Sequence, residues 1–185
     1  MIRGKYRPIY KLRNDKPEKS TSIELTNFLF FDIETTGLRP DRGAKITEIS
    51  ILDRNSQLYL WREDSGTFNV ELQKVLQTLQ RGVVVGHNLQ FDFWFLSYEA
   101  DRYGFEGPSL KYIDTLSLSR KLLPGKSSYQ LSRILKEFDI RVDGKLHTAV
   151  TDTEITRALF WKLIEKGGIA TVGEAGVKKI DWSTF

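Results

Sequence analysis

The stretch Phe28–Leu38, FLFFDIETTGL, constrains the fold of this chain more than any other. Four consecutive apolar residues mark a strand covered on both faces, and that strand runs directly into Asp32 and Glu34. Strand side chains alternate, so the two acids project from one face while Phe31 and Ile33 occupy the other. Carboxylates at the end of a buried strand lose hydration and repel one another, a cost that a bound cation offsets. The geometry suits a divalent metal; the alternative is a strand end that is simply solvated. Gly37 lets the chain turn sharply. The hydroxyls of Thr35 and Thr36 stand just past the acids, within reach of a substrate group.

A strand of this kind needs a substantial core around it. A length of 185 residues supplies one such core and not two. An apolar fraction of 40% and a charged fraction of 28% are those of a soluble globular protein. No apolar run is long enough to span a membrane, and the amino terminus lacks the apolar segment of a secretory signal. The chain has no cysteine, so neither a disulfide framework nor a thiolate zinc site is available. These features fit a cytoplasmic protein, and the net charge of +4 favours a polyanionic partner. Residues 1–22 read as a flexible basic arm, for which a solvated leader and a nucleic-acid contact are both open. Residues 23–168 read as the folded domain and 169–185 as a tail, whose Trp182 and Phe185 would dock on the domain or on a partner.

In chain order, ITEISILD at 46–53 and LYLW at 58–61 continue the central strand as an antiparallel meander. Glu48 within it reads as structural rather than as a ligand. The spacing of Val70, Leu72, Val75, Leu76 and Leu79 predicts an amphipathic helix ending near Gly82, followed by a strand at 83–85. Gly86, His87 and Asn88 then lead into a helix, QFDFWFLSYEADRYG, whose apolar residues surround it and so predict burial. Asp92 on that helix shares a face with Phe95 and Leu96 and points toward the sheet. KYID predicts a short strand, TLSLSRKLL a helix stopped at Pro124 and Gly125, and SSYQLSRILKEFDI a second helix capped by a serine. The last helix runs from about Thr148 to Lys166 before Gly167 and Gly168. Asp152 lies on its core-facing stripe with Ile155 and Leu159. His147 would fall about 140° from Asp152 on a continuous helix. It is therefore expected in the preceding loop, able to reach over a site that Asp152 lines.

Asp32, Glu34, Asp92 and Asp152 are thus all expected to face inward, with a loop histidine beside them. That donor set describes an oxygen-ligand site for Mg²⁺ or Mn²⁺ and not a zinc site, which would want more His or Cys.

The motifs in their order resemble the DEDD superfamily of 3′–5′ exonucleases in its histidine form, the DnaQ-like group that includes the proofreading epsilon subunit of bacterial replicative polymerases. Asp32-Ile33-Glu34-Thr35-Thr36-Gly37 matches the first motif, Gly86 through Asp92 the second, and His147, Ala149 and Asp152 the third. The resemblance covers about residues 27–166. It implies an α/β, RNase H-like fold: a single domain with a mixed central sheet and helices on both faces. It also implies two-metal hydrolysis of the terminal phosphodiester to a nucleoside 5′-monophosphate. Asp32 would bridge two Mg²⁺ or Mn²⁺ ions, Glu34 and Asp152 would hold the ion carrying the attacking water, and Asp92 would support the second. His147 would take the water's proton, while Thr35, Thr36, Leu38, Asn88 and Phe91 would line the pocket for the terminal nucleotide. The implied partners are single-stranded nucleic acid, DNA favoured over RNA, and a DNA polymerase. An RNA-trimming enzyme of the same superfamily and a non-catalytic binding domain are the competing readings. The chain departs from the family pattern between Glu48 and Gly86, where it is shorter, and at Thr153, where a smaller residue is commoner.

Overall fold

The computed structural model describes residues 11–13, 21–62, 68–141 and 148–182, the first of these by backbone alone. A seven-stranded mixed sheet forms from β1 (Lys11–Arg13), β2 (Phe28–Thr35), β3 (Ile46–Asp53), β4 (Leu58–Arg62), β5 (Val83–Gly86), β6 (Leu110–Asp114) and β7 (Lys178–Asp181). Across the sheet the order is β1-β7-β6-β5-β2-β3-β4. The meander β2-β3-β4 is antiparallel, as expected, and β5 and β6 add to β2 in parallel. Parallel neighbours require crossovers. Helices α1 (Phe68–Leu79) and α2 (Leu89–Arg102) supply them, followed by α3 (Thr115–Leu122), α4 (Leu131–Ile134) and α5 (Ala149–Gly167).

Alternation along β2 sorts the core into two layers. Leu29, Phe31 and Ile33 face α1 and α2, packing with Leu72, Val75, Phe93 and Phe95. Phe28 and Phe30 face α5, packing with Leu159, Phe160 and Leu163. Their rings meet Phe160 edge-on, with centroids 4.9 and 5.8 Å away. By the same alternation Asp32 and Glu34 lie on the α5 side. Helices therefore cover both faces, and no described helix is long and apolar enough to cross a membrane.

The sheet takes in residues on both sides of the 23–168 expected for the domain. β7 pairs with β6, and β1 pairs with β7, by backbone hydrogen bonds that no apolar period in KLR or KKID announces. Trp182, for which docking on the domain or on a partner is open in the sequence, docks on the domain: it is 6% exposed and meets Phe93 with centroids 6.1 Å apart. Gly107 makes the room: a Cβ there would fall 2.2 Å from that of Trp182. Residues 1–10, 14–20 and 183–185, which carry the rest of the arm and Phe185, lie outside the described residues.

The helix expected over SSYQLSRILKEFDI is shorter than its sequence suggests. Only Leu131–Ile134 is α-helical, a 3₁₀ turn follows at Leu135–Phe138, and Gln130 stands at the N-cap without a side-chain cap. Asp139 then turns left-handed at φ 51° and ends the segment. By contrast α5 has the expected limits, with the Thr148 hydroxyl accepting from the Thr151 N–H and Gly168 left-handed at its C-terminus.

Candidate active site

Parallel pairing between β2 and β5 runs only from Phe28↔Val83 to Phe30↔Val85. Beyond it the last residues of β2 have no strand neighbour on that side among the described residues, and the first turn of α2 enters instead. Gly86 permits the entry, since a Cβ would sit 2.3 Å from Leu89 Cδ2 and 2.9 Å from the Phe31 carbonyl oxygen. Asn88 turns the chain at φ 68°, a conformation Asn tolerates better than most residues, and opens α2. Asp92 is thereby carried against β2, 5% exposed, where the backbone N–H groups of Ile33 and of Asp92 itself hold its carboxylate.

From the other face α5 brings Asp152 to Asp32 and Glu34. One carboxylate oxygen from each of these three residues lies within 4.8 Å of the others. Glu48, opposite Glu34 in the β2–β3 register, ties the helix to the sheet. Its Oε2 accepts from the Ala149 N–H at 3.4 Å, and its Oε1 meets Arg62 at 3.2 Å. An acid at the first turn of α5 is also favoured by the helix dipole. Glu48 is thus a brace for α5, in line with the structural reading of its sequence.

The electrostatics are those of a crowded, buried acid cluster. Burial is the largest influence on Asp32 and pushes its carboxyl well above the usual range, with Asp92, Asp152, Glu34 and Glu48 adding repulsion. Asp92 is pushed up to about 8, again chiefly by burial, although its two backbone N–H partners oppose the rise. Hard, closely spaced, all-oxygen donors of this kind fit Mg²⁺ or Mn²⁺. Such an ion would return these acids to their charged forms.

The remaining residues marked from the sequence are placed as follows. The Thr35 hydroxyl donates to the Gly37 carbonyl at 2.7 Å, and the Thr36 hydroxyl accepts from the Lys45 N–H at 2.9 Å, so both shape the turn after β2. Leu38 projects from that turn, 78% exposed. Phe91 is half-buried beside Phe95 with ring centroids 5.0 Å apart, and Asn88 is exposed at the mouth. Thr153 is fully buried, and its hydroxyl donates to the Ala149 carbonyl, which accounts for a polar residue in a tight position. His147 lies outside the described residues.

Sequence reasoning missed Asp114 and Thr115. Asp114 caps α3, its Oδ1 accepting from Leu116 N at 3.0 Å and from Asn88 N at 2.9 Å. It therefore holds the loop that carries Asn88, and its charge adds to the repulsion on Asp92. An Asp directly after a strand and before a helical period is a cap signal that could have found it.

A mixed sheet between two helical layers, with acids gathered at the open end of its central strand, is an architecture of RNase H-like kind. The Exonuclease family model matches residues 60–160, and the chain belongs to that family. The match begins beyond Asp32 and Glu34 and takes in Asp92 and Asp152. Among relatives, 3′-5′ exonuclease DinG of Bacillus subtilis is 30% identical over 165 residues, covering 75% of this chain and 18% of its own length. A DNA polymerase III PolC-type of Oceanobacillus iheyensis is 37% identical over 174 residues, covering 80% of this chain and 12% of its own. The chain thus spans less than a fifth of either relative. Among solved structures, the nuclease domain of 3'hExo, a DEDDh family member bound to rAMP, superposes with a TM-score of 0.65 at 13% identity, covering 77% of this chain and 93% of that one. That likeness establishes the RNase H-like fold.

Proposed function

We propose that the protein is a metal-dependent 3′–5′ exonuclease that removes nucleoside 5′-monophosphates from single-stranded or frayed ends. The observation that carries this reading is the cluster of Asp32, Glu34 and Asp152 within 4.8 Å, with Asp92 buried beside it, in a chain of the exonuclease family. Asp32, Glu34 and Asp152 would hold one Mg²⁺ or Mn²⁺, and Asp92 with Asp32 a second. Ions bound there would supply an activated water and charge stabilisation at the phosphate. Glu48 and the cap at Thr148 keep α5, and so Asp152, at the sheet. His147, the residue before that cap, would take the water's proton, a role that imidazole chemistry suits.

Leu38, exposed at the turn, and Phe91, half-buried at the start of α2, offer apolar surface on which a terminal base would rest. Asn88 would contact the sugar or phosphate, and Thr35 and Thr36 would act by holding the turn that presents Leu38. A DNA substrate is favoured by the relative named as a DNA polymerase, which also supports proofreading beside such an enzyme. The rAMP bound to 3'hExo supports the second reading, a nuclease that trims RNA.

Digestion of labelled DNA and RNA strands, with and without Mg²⁺, decides between these readings. The expected result is metal-dependent shortening from the 3′ end, faster on DNA, with 5′-monophosphates released. Faster shortening of RNA would move the assignment to the second reading, and no hydrolysis of either strand would overturn both.

A further inference from the structure

The mechanism above leaves His87 unused, although it sits between two residues that shape the site. Its ring is half-buried and contacted at both nitrogens. Nδ1 lies 2.9 Å from the Thr115 hydroxyl and Nε2 lies 2.9 Å from the Tyr129 carbonyl oxygen. The Thr115 hydroxyl is also 3.0 Å from the Gly86 carbonyl oxygen.

Counting protons restricts the state of this ring. A carbonyl oxygen only accepts, so Nε2 must carry a proton; the opposite tautomer would set two lone pairs against each other at Tyr129. Thr115 has one hydroxyl proton for two acceptors. Given to Gly86, it would require a proton on Nδ1 as well and hence an imidazolium. Given to Nδ1, it leaves a neutral ring. Burial is the largest influence on His87 and lowers its affinity for a second proton. Arg120 acts in the same direction, while Asp114 and the Tyr129 carbonyl oppose it. In both states Nε2 carries the proton that the Tyr129 carbonyl accepts.

What the ring joins gives this a purpose. Gly86–Asn88 is the loop that turns β5 into α2 and so aims Asn88, Phe91 and Asp92. Its other support is Asp114, which accepts from Asn88 N. Tyr129 lies in the connection between α3 and α4. It is itself fastened, its hydroxyl donating to the Leu123 carbonyl at 2.7 Å and its ring stacked under Arg120 at 5.8 Å. We propose that His87 is a positioning residue, an Nε2–H tether between the α2 entry loop and the fastened Tyr129 segment, which holds Asn88 and Asp92 in register for substrate and metal. The catalytic part of this inference rests on the exonuclease reading; the tether itself does not.

The tether is tested first in the wild-type protein, by ¹⁵N NMR of its histidine rings at neutral pH, with His87→Ala used only to assign the signals. A protonated Nε2 with a slowly exchanging proton is expected; a bare Nε2 overturns the proposal. The second test separates positioning from chemistry. Loss of a supporting hydrogen bond behind a metal site commonly costs 10–100-fold. His87→Ala should therefore raise both the KM for a single-stranded oligonucleotide and the Mg²⁺ concentration for half-maximal rate about tenfold, with kcat at saturation within about threefold of wild type. His87→Gln places its amide nitrogen near the position of Nε2 and should recover both. Wild-type KM and Mg²⁺ dependence in His87→Ala, or a glutamine variant no better than alanine, overturns the positioning role. If the wild-type protein hydrolyses nothing while its NMR shows the Nε2–H ring, the exonuclease reading fails and the tether stands.

Discussion

The two halves of strand β2 are built on opposite terms. Phe28 through Phe31 are at most 3% exposed and pack between helical layers on both faces, where burial of aromatic surface stabilises the fold. Directly after Phe31 the same strand carries Asp32 and Glu34, repelling each other and Asp152 at the open end of the sheet. One half holds the molecule together and the other spends part of that stability to keep acids close. The difference teaches that stability and chemistry in this chain separate along a single strand, so a substitution in the apolar half should lower stability and spare metal binding, and one in the acidic half should remove the chemistry without lowering stability.

The largest effect is expected at the acidic half. Asp32→Asn keeps the shape of the side chain and should reduce Mg²⁺-dependent hydrolysis to background while leaving the folded structure intact. Strand digestion beside a circular dichroism spectrum checks both. His147→Ala should lose about 10²–10⁴ in rate with metal affinity retained, the range for general acid–base catalysis. A collapse of metal affinity in that variant would make His147 a ligand instead. At the apolar half, Phe30→Ala should cost about 3–5 kcal/mol in denaturant unfolding, leaving the Mg²⁺ affinity of the folded fraction unchanged.

A smaller and more diagnostic effect comes from pH. Asp92 has a folded-state pKa of about 8, and Asp32 is likewise raised, so between the unfolded carboxylate range and that value the folded state binds more protons than the unfolded one. Without metal, stability should therefore be greatest at the acidic end of this window and fall as the pH rises from about 4 towards 8. That slope is opposite to the one given by salt-bridged carboxylates. Thermal unfolding in chelator across this range measures it, and Asp92→Asn should flatten it. The smallest effect lies at the support of Asp152: Thr148→Ala removes the cap of α5 and should cost about 1 kcal/mol in denaturant unfolding.

Much of this arrangement is legible in the sequence, because its parts are local. The alternation in FLFFDIE puts the acids on one strand face, and the helical spacing of Asp92 with Phe95, and of Asp152 with Ile155, turns those acids inward. What could not be read depends on contacts between distant segments. The place of Asp114 beside Asn88 follows from parallel pairing of β5 with β6, and the link from His87 to Tyr129 spans 42 positions with a backbone oxygen as acceptor. β7 and β1 join the sheet through their backbones, so KKID and KLR carry no side-chain pattern to reveal them. The burial of Trp182 depends on the missing side chain of Gly107, which reads in isolation as an ordinary turn residue.

The most direct test of the metal-holding role of the acidic half is thermal unfolding at pH 8 of the wild-type protein and Asp32→Asn, each in chelator and in excess Mg²⁺. In chelator the variant should melt above wild type, because one desolvated and repelling carboxylate has been removed. Mg²⁺ should raise the wild-type Tm, since a ligand that binds only the folded state stabilises it by mass action, and should leave the variant nearly unmoved. A wild-type Tm indifferent to Mg²⁺, together with a variant that melts below wild type in chelator, would contradict a metal site at Asp32 and make these acids a structural feature of the strand end.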